Sequence, residues 1–546
     1  MKLFPPHLID FYKSGHIFQY PQGTEYVYSN FTPRSFRYAS YVGDKPEGVV
    51  FFGLQGIIKW FLIDLWNQEF FSQPLDTVIE KYSSRMNKAL GEGAVTVHHI
   101  KALHQLGYLP IHIKALPEGS LVNFKVPVLT IINTEPEFFW LTNYLETALS
   151  AELWKVSSNA TIAYEYYKLI KKYAVETGAP LDFIRWQCHD FSARGMSGVY
   201  DASQSGTGHL LSFMGTDTVS AIDYLEEYYH GKETFIGGSV PATEHSVMTM
   251  DSPEDEVKTF KRLITKIYPK GIISIVSDTR DFFQVVTRYA SFLKEDILNR
   301  QEDENGNCRV VFRPDSGDPV RILTGYTCYE SEDPLEKINE KLLKIYKNKG
   351  IISFETVKIN GRYYFLNGFT QRYGVELGEE VAEAEVKGAV QCLWDIFGGT
   401  ENEAGFRFLN SKVGLIYGDS ITLNIANEIL ERLKIKGFGS TNVLLGIGSF
   451  TYQLSTRDTY GWAMKATWAQ VKGKGIDMFK DPKTDDGVKK SLKGLIRVEK
   501  TDSGFVAFDE QTSGQECEGC LESVFMNGTL LKDESLKTIR ERLGAL

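Results

Sequence analysis

The chain has only six cysteines in 546 residues, too few for a disulfide framework, which points to a reducing compartment. It also lacks a long apolar run. The most apolar stretch, residues 49–66, is broken by Gln55, Lys59 and Asp64. A bilayer span needs about 20 mostly apolar residues, so this stretch reads as a core helix and no membrane association is expected. The first residues contain no uninterrupted apolar segment of the kind a signal peptide needs, so a cytoplasmic location is expected. Basic residues are not in surplus: 60 Lys and Arg face 70 Asp and Glu, a formal charge of −10. That balance disfavours a broad nucleic-acid surface but leaves room for a small basic pocket that grips a phosphorylated metabolite. The sequence has no GxxxxGK(S/T), HExxH or GxSxG, which weakens P-loop, zincin and serine-hydrolase readings. With 42% hydrophobic and 24% charged residues the composition is that of a folded globular protein, and the length suggests two or three domains.

Apolar residues at helical spacing predict helices over 51–66, 138–154 and 159–177. From about residue 180 the pattern changes. Seven short apolar runs, at 184–188, 210–214, 238–240, 272–276, 310–312, 413–417 and 443–445, each end in small, charged or glycine residues. Several are followed by helical stretches, such as 254–268 and 421–433. Continuous apolar runs separated by helices read as parallel strands buried on both faces. Polar residues follow all seven runs and do not gather at one crevice, which favours a β/α barrel with its site at the strand C-termini over an open doubly wound sheet. The fold class is therefore α/β, with residues 1–180 and 456–546 forming the two parts of a mixed α+β domain and 181–455 a β/α barrel. Residues 324–410 form an insertion. Within it, 335–346 and 380–397 read as helices, and 352–359, Asn360-Gly361 and 362–366 as a β-hairpin with a type I′ turn. Residues 481–493 read as a surface loop.

The predicted rim carries the chemistry. Arg194, Arg313 and Arg457 offer planar forks for phosphate oxygens, and Gly446-Ile447-Gly448-Ser449 offers backbone N–H groups. Asp217, Asp281, Asp315 and Asp419 either cap strand ends or, facing arginines, bind Mg²⁺ with a polyphosphate or ribose hydroxyls. His245 is an acid, a base, a phosphate acceptor or a structural histidine. Phe191 and Tyr12 are packing residues or ligand-stacking faces. Cys517-Glu518-Gly519-Cys520 is a lone CxxC with no second pair to complete a zinc site.

Several motifs together resemble the nicotinamide phosphoribosyltransferase family of type II phosphoribosyltransferases. They are Asp10-Phe11-Tyr12-Lys13, Phe52-Gly53-Leu54-Gln55, His189-Asp190-Phe191 with Arg194-Gly195, and Gly215-Thr216-Asp217-Thr218-Val219. Further along come Glu244-His245-Ser246, Arg313-Pro314-Asp315-Ser316-Gly317, Gly418-Asp419, Ser455-Thr456-Arg457-Asp458 and Phe479-Lys480-Asp481-Pro482. The resemblance spans nearly the whole chain and is poorest from about 324 to 410.

It implies a homodimer with shared active sites. The substrates would be nicotinamide and 5-phosphoribosyl 1-diphosphate, with Mg²⁺, and ATP would be coupled through phosphorylation of His245. By resemblance, Phe191 and the partner subunit's Tyr12 would sandwich the pyridine, and Asp217 would accept the carboxamide N–H. Arg194, His245 and Arg313 would hold diphosphate, and Asp281 and Asp315 would hold Mg²⁺. Asp315, Gly418 and Asp419 would meet the ribose, and Gly448, Ser449, Arg457 and Lys465 would lie along the phosphate channel. Two departures stand out: Ser449 replaces a second glycine, and Ala463 replaces a serine. Two other readings are nicotinate phosphoribosyltransferase and a non-catalytic nucleotide-binding barrel.

Overall fold

The structure, a computed structural model, describes residues 2–39, 41, 45–331, 333–349, 353–370, 374–418, 420–480 and 491–545. Asp419, the start of the expected hairpin at Ile352, residues 481–490 of the expected surface loop and the Asp481-Pro482 end of one motif lie outside them. The chain divides into two compact units.

The first unit comprises Met1–Glu165, Ser192–Gly237 and Tyr452–Leu546. Its centre is a seven-stranded antiparallel sheet drawn from both chain ends, in the order Lys474–Asp477, Ala463–Val471, Thr24–Thr32, Leu129–Asn133, Ile111–Ala115, Glu522–Met526 and Thr529–Leu530. Strand Thr24–Thr32 is buried along nearly its whole length, so this sheet carries the core on both faces there. Phe31 stacks on Trp462 with ring centroids 5.1 Å apart, and the Trp462 indole N–H donates to Ser158 Oγ at 3.0 Å.

The expected helices 138–154 and 159–177 prove to be a short turn of helix, Leu141–Tyr144, followed by one continuous helix, Glu146–Thr177. No glycine or proline interrupts it. Its serine and threonine hydroxyls fold back onto the preceding turn, Ser158 Oγ donating to Trp154 O at 2.6 Å and Thr161 Oγ1 to Ser157 O at 2.7 Å, so small polar residues do not break it.

Residues 192–237, placed with the barrel by the sequence pattern, group with the chain ends. The reason is Arg540 on the C-terminal helix Leu536–Leu543, only 5% exposed, whose guanidinium donates to the carbonyls of Leu210, Phe235 and Ile236. A planar cation with five donors satisfies three loop carbonyls at once.

The second unit comprises Tyr166–Phe191 and Gly238–Thr451. Here the strands Cys188–Asp190, Leu444–Ile447, Val413–Tyr417, Val310–Arg313 and Ile273–Val276 lie side by side, all parallel. They form a half-barrel sheet in a mixed α/β fold. Their side chains are buried on both faces, as continuous apolar runs require. Five of the seven apolar runs thus yield these strands. Residues 210–214 give only the two-residue strand Gly215–Thr216, and 238–240 lead to a single bridge between Ala242 and Ser274.

The insertion folds as a four-stranded sheet, Cys328–Tyr329, Thr356–Ile359, Arg362–Thr370 and Gly374–Val381, with helix Leu335–Lys349 packed on it through Ile338 and Leu342. Asn360 and Gly361 have φ of 51° and 79°, as a type I′ turn demands. The expected helix over 380–397 is split: Glu380 and Val381 end a strand, and Gly388, with φ of 80°, separates helices Glu383–Lys387 and Ala389–Phe397. A Cβ at Gly388 would lie 2.2 Å from the Gly325 nitrogen, so the close backbone approach requires glycine and breaks the helix there. Among the described residues no helix is long and apolar enough to cross a membrane.

Candidate active site

In the second unit the candidate groups follow the C-terminal ends of the parallel strands. After Val310–Arg313 come Asp315 and Ser316; after Ile273–Val276 come Asp278 and Thr279; His245 opens the short helix His245–Thr249. These loops converge. His245 Nε2 lies 3.3 Å from Asp315 Oδ1 and 3.8 Å from Asp278 Oδ1, and its Nδ1 lies 3.2 Å from Thr279 Oγ1. Ligand atoms of His245, Asp278 and Asp315 all fall within 4.8 Å of one another.

Asp278, which the sequence reading did not single out, is the organiser. Its Oδ2 accepts from Asp315 N at 3.0 Å, Ser316 N at 2.9 Å and Ser316 Oγ at 2.6 Å. Burial pushes its pKa up, but the bonds from Ser316 and Asp315 outweigh this and hold it below the usual carboxylate value. Asp315 moves the other way, raised by burial and by the negative charge of Asp278. Asp278 Oδ1 is buried without a hydrogen-bond partner. Two carboxylates, one with an oxygen left unsatisfied, fit a divalent cation such as Mg²⁺ that takes its remaining oxygens from a substrate. Asp281, expected at the metal, is exposed, and its Oδ1 accepts from Gln284 N at 2.9 Å, capping helix Phe282–Gln284. A second acid three residues earlier in the same Ser277-Asp278-Thr279-Arg280-Asp281 run was the sequence signal for the alternative.

Arg313 is half-buried. It donates to Thr243 O at 2.5 Å, and its guanidinium carbon sits 6.0 Å from the centroid of the Phe191 ring. Phe191 is itself pinned by its N–H donating to Ile447 O at 2.9 Å. A Cβ at Gly418 would lie 3.0 Å from Asp315 Cβ, so any larger residue there would press on Asp315 by a few tenths of an ångström. Ser420, just beyond Asp419, holds a left-handed backbone with φ of 59°.

Gly446 has a packing role: a Cβ would meet Tyr417 O at 2.6 Å. Gly448 is buried, and Ser449 opens the short helix Ser449–Tyr452. Ser449 is not among the non-glycine residues with positive φ, so the replacement of glycine there carries no left-handed strain.

In the first unit the candidates are mostly exposed. Arg194 sits in the turn Ala193–Gly195, Asp217 follows strand Gly215–Thr216, and Tyr12, 62% exposed, donates to Asp10 Oδ2 at 3.4 Å. Buried His209 steadies two of their loops, with Nδ1 at 2.7 Å from Tyr452 Oη and Nε2 at 3.0 Å from Gly215 O. Lys465 lies on strand Ala463–Val471. Burial lowers its pKa, Glu146 opposes this, and the positive charges of Arg34, Lys480 and Arg457 lower it further. Arg34, Lys480 and Arg457 thus add positive charge around Lys465, an environment suited to an anion. Arg34 stands in none of the quoted motifs, and Lys480 entered only as part of Phe479-Lys480-Asp481-Pro482, not as a site residue. Ala463 is buried. Cys517 and Cys520 are both free thiols, and among the described residues they belong to no cluster of three metal-ligating side chains.

Comparison with known proteins gives this geometry a lineage. Residues 186–528 match the nicotinate phosphoribosyltransferase (NAPRTase) family, and residues 7–113 match the nicotinamide phosphoribosyltransferase N-terminal domain. The nicotinamide phosphoribosyltransferase of Acinetobacter baylyi is 53% identical over 542 residues, 99% of this chain and 97% of that protein. The protein of the same name from Mycoplasma pneumoniae is 30% identical, over 89% of this chain and 94% of its own length. Among solved structures, nicotinate-nucleotide pyrophosphorylase from Pyrococcus furiosus shares the fold, with a TM-score of 0.51 at 14% identity, over 98% of this chain and 94% of that one. The chain therefore belongs to the nicotinate phosphoribosyltransferase family and carries at its start the domain that marks the nicotinamide phosphoribosyltransferases.

Proposed function

We propose that the chain transfers the phosphoribosyl group of 5-phosphoribosyl 1-diphosphate to nicotinamide, releasing nicotinamide mononucleotide and diphosphate in NAD salvage. The observation that carries this reading is the strand-end cluster of His245, Asp278 and Asp315, with Arg313 beside the Phe191 ring, in a chain 53% identical to a relative named for that activity. Transfer breaks a C1–O bond and leaves positive charge on the ribose, as in glycoside cleavage. The protein's work is then to position the sugar and neutralise the departing diphosphate. The family resemblance assigns diphosphate binding to Arg194 and Arg313, ribose binding to Asp315, Gly418 and Asp419, and phosphate binding to Ser449, Arg457 and Lys465.

Asp278 and Asp315 are the residues that would hold Mg²⁺, which adds positive charge opposite the leaving group when bound. His245 is suited to accept a phosphoryl group from ATP: a ring nitrogen attacks the terminal phosphorus, the P–O bond to ADP breaks, and ADP leaves. Phe191 offers a flat apolar face for the pyridine, opposed by the partner subunit's Tyr12 in a homodimer. The carboxylate of Asp217 suits a carboxamide donor and repels the carboxylate of nicotinate. The parallel strands would belong to a β/α barrel, with residues 192–237 joining the two chain ends in the mixed domain.

Two measurements test this. Incubation with Mg²⁺, the phosphoribosyl donor and nicotinamide should yield mononucleotide and diphosphate in equal amounts; diphosphate without mononucleotide would contradict transfer. Asp217→Ser should erode the preference for nicotinamide over nicotinate, and an unchanged ratio removes Asp217 from the discrimination.

A further inference from the structure

Lys155 is a lysine in the wrong place for a surface residue. It lies in the middle of helix Glu146–Thr177, and its side chain is only 12% exposed. Its Nζ sits 2.6 Å from Asp201 Oδ2 and 2.5 Å from Gln453 Oε1. Those two acceptors belong to different segments, and both hold the same residue. Asp201 Oδ2 accepts the Ser197 N–H at 2.8 Å, and Gln453 Nε2 donates to Ser197 Oγ at 2.6 Å. Ser205 Oγ adds a bond to Asp201 Oδ1 at 3.1 Å. One ammonium thus closes a ring of polar contacts around Ser197.

The ring sits between two arginines of the proposed grip. Ser197 is joined to Arg194 by a tight turn, in which Gly195 N donates to Ser192 O at 3.0 Å and Met196 N to Ala193 O at 3.3 Å. Gln453 is joined to Arg457 by another, with Ser455 Oγ donating to Tyr452 O at 3.2 Å and Thr456 N to Thr459 Oγ1 at 2.9 Å. Both arginines are themselves exposed, so neither is placed by packing of its own side chain.

We propose that Lys155 is a positioning residue for phosphoribosyl diphosphate, fixing the Arg194 turn and the segment leading to Arg457 through Asp201, Gln453 and Ser197. The inference rests on the proposed roles of Arg194 and Arg457. Without the ammonium, Asp201 is a largely buried carboxylate with no counter-charge, so it turns towards water and releases the Ser197 N–H. Both arginines then lose their fixed spacing, and the cost falls on the ligand they share.

The test is steady-state kinetics of Lys155→Met, of Lys155→Met with Asp201→Asn, and of Arg194→Ala, with melting temperatures alongside. Lys155→Met should raise KM for phosphoribosyl diphosphate about tenfold or more while KM for nicotinamide stays within about twofold, because small misplacements of a gripping group cost that much. Adding Asp201→Asn should recover most of the loss, since a neutral amide oxygen still accepts from Ser197 and needs no counter-charge. Where Lys155→Met melts much lower than the wild type, the double variant against Asp201→Asn alone replaces it. An unchanged donor KM in Lys155→Met, an equal rise in both KM values, or no recovery in the double variant overturns the proposal. If Arg194→Ala itself leaves the donor KM unchanged, the grip is wrong and the inference falls with it; if Arg194→Ala raises that KM and Lys155→Met does not, only the inference falls.

Discussion

In the parallel-sheet unit the reactive side chains stand just beyond buried strands, so the backbone aims them: Asp278 and Asp315 are fixed by the strands that precede them and by each other. In the unit built from the chain ends, Arg194, Asp217 and Arg457 are exposed, and the buried polar residues His209 and Lys155 bond the segments beside them. The difference separates two ways of making a site rigid. Strand ends need only main-chain pairing and apolar packing, whereas turns need a side chain that bonds several backbone or side-chain groups at once.

The comparison breaks most severely where the first unit loses its core. Trp462→Ala removes the stack on Phe31 and leaves Ser158 without its donor, and should cost about 3–5 kcal/mol in denaturant unfolding. Asp278→Ala strikes the other unit. Asp315 N, Ser316 N and Ser316 Oγ lose their acceptor, and kcat/KM should fall about 100- to 1,000-fold with a much smaller change in melting temperature.

How much of this was legible in the sequence follows the same division. Apolar runs that end in Asp, Arg or Gly announce parallel strand ends, so pattern and order put Arg313, Asp315 and Gly418 at or just beyond strands, while the roles expected of them, as of Phe191 and His245, came with the family resemblance. The one shift within that rim, from Asp281 to Asp278 as organiser, came from two acids on one loop, which spacing does not separate but hydrogen bonding does. The short strand at 215–216 and the single bridge at Ala242 were overestimated because an apolar run says nothing about whether a neighbour lies in register. Lys155 and His209 were not found, because a polar residue inside a helix looks like a solvated face until its partner far along the chain is known.

Buried polar anchors also carry a pH signature. Glu118, fully buried in the first unit, accepts from Gly53 N at 2.9 Å, Gln55 N at 2.5 Å and Tyr229 Oη at 3.1 Å. Burial pushes its pKa from 4.5 up to about 7, against the pull of these bonds. The folded state therefore binds the proton more tightly than the unfolded one. The associated stability is full below about pH 4.5 and is lost as pH rises through about 7, a change on the order of 3 kcal/mol. Melting curves across that window should show the loss in the wild type and a flatter profile in Glu118→Gln. A steeper profile in the variant would contradict the sign.

The smallest effect sharpens the rim. Gly418→Ala places a methyl within 3.0 Å of Asp315 Cβ, and should reduce kcat/KM about tenfold while leaving unfolding nearly unchanged. A loss of stability in place of activity would mean that Gly418 serves packing and not the strand-end cluster.

The most direct test of the whole account is a crystal structure of the dimer with nicotinamide mononucleotide bound. The pyridine should lie on Phe191 with the partner subunit's Tyr12 across it, the carboxamide at Asp217, and the 5′-phosphate between Ser449 and Arg457. A nucleotide seated away from Phe191, or an active protein that remains monomeric, would contradict it.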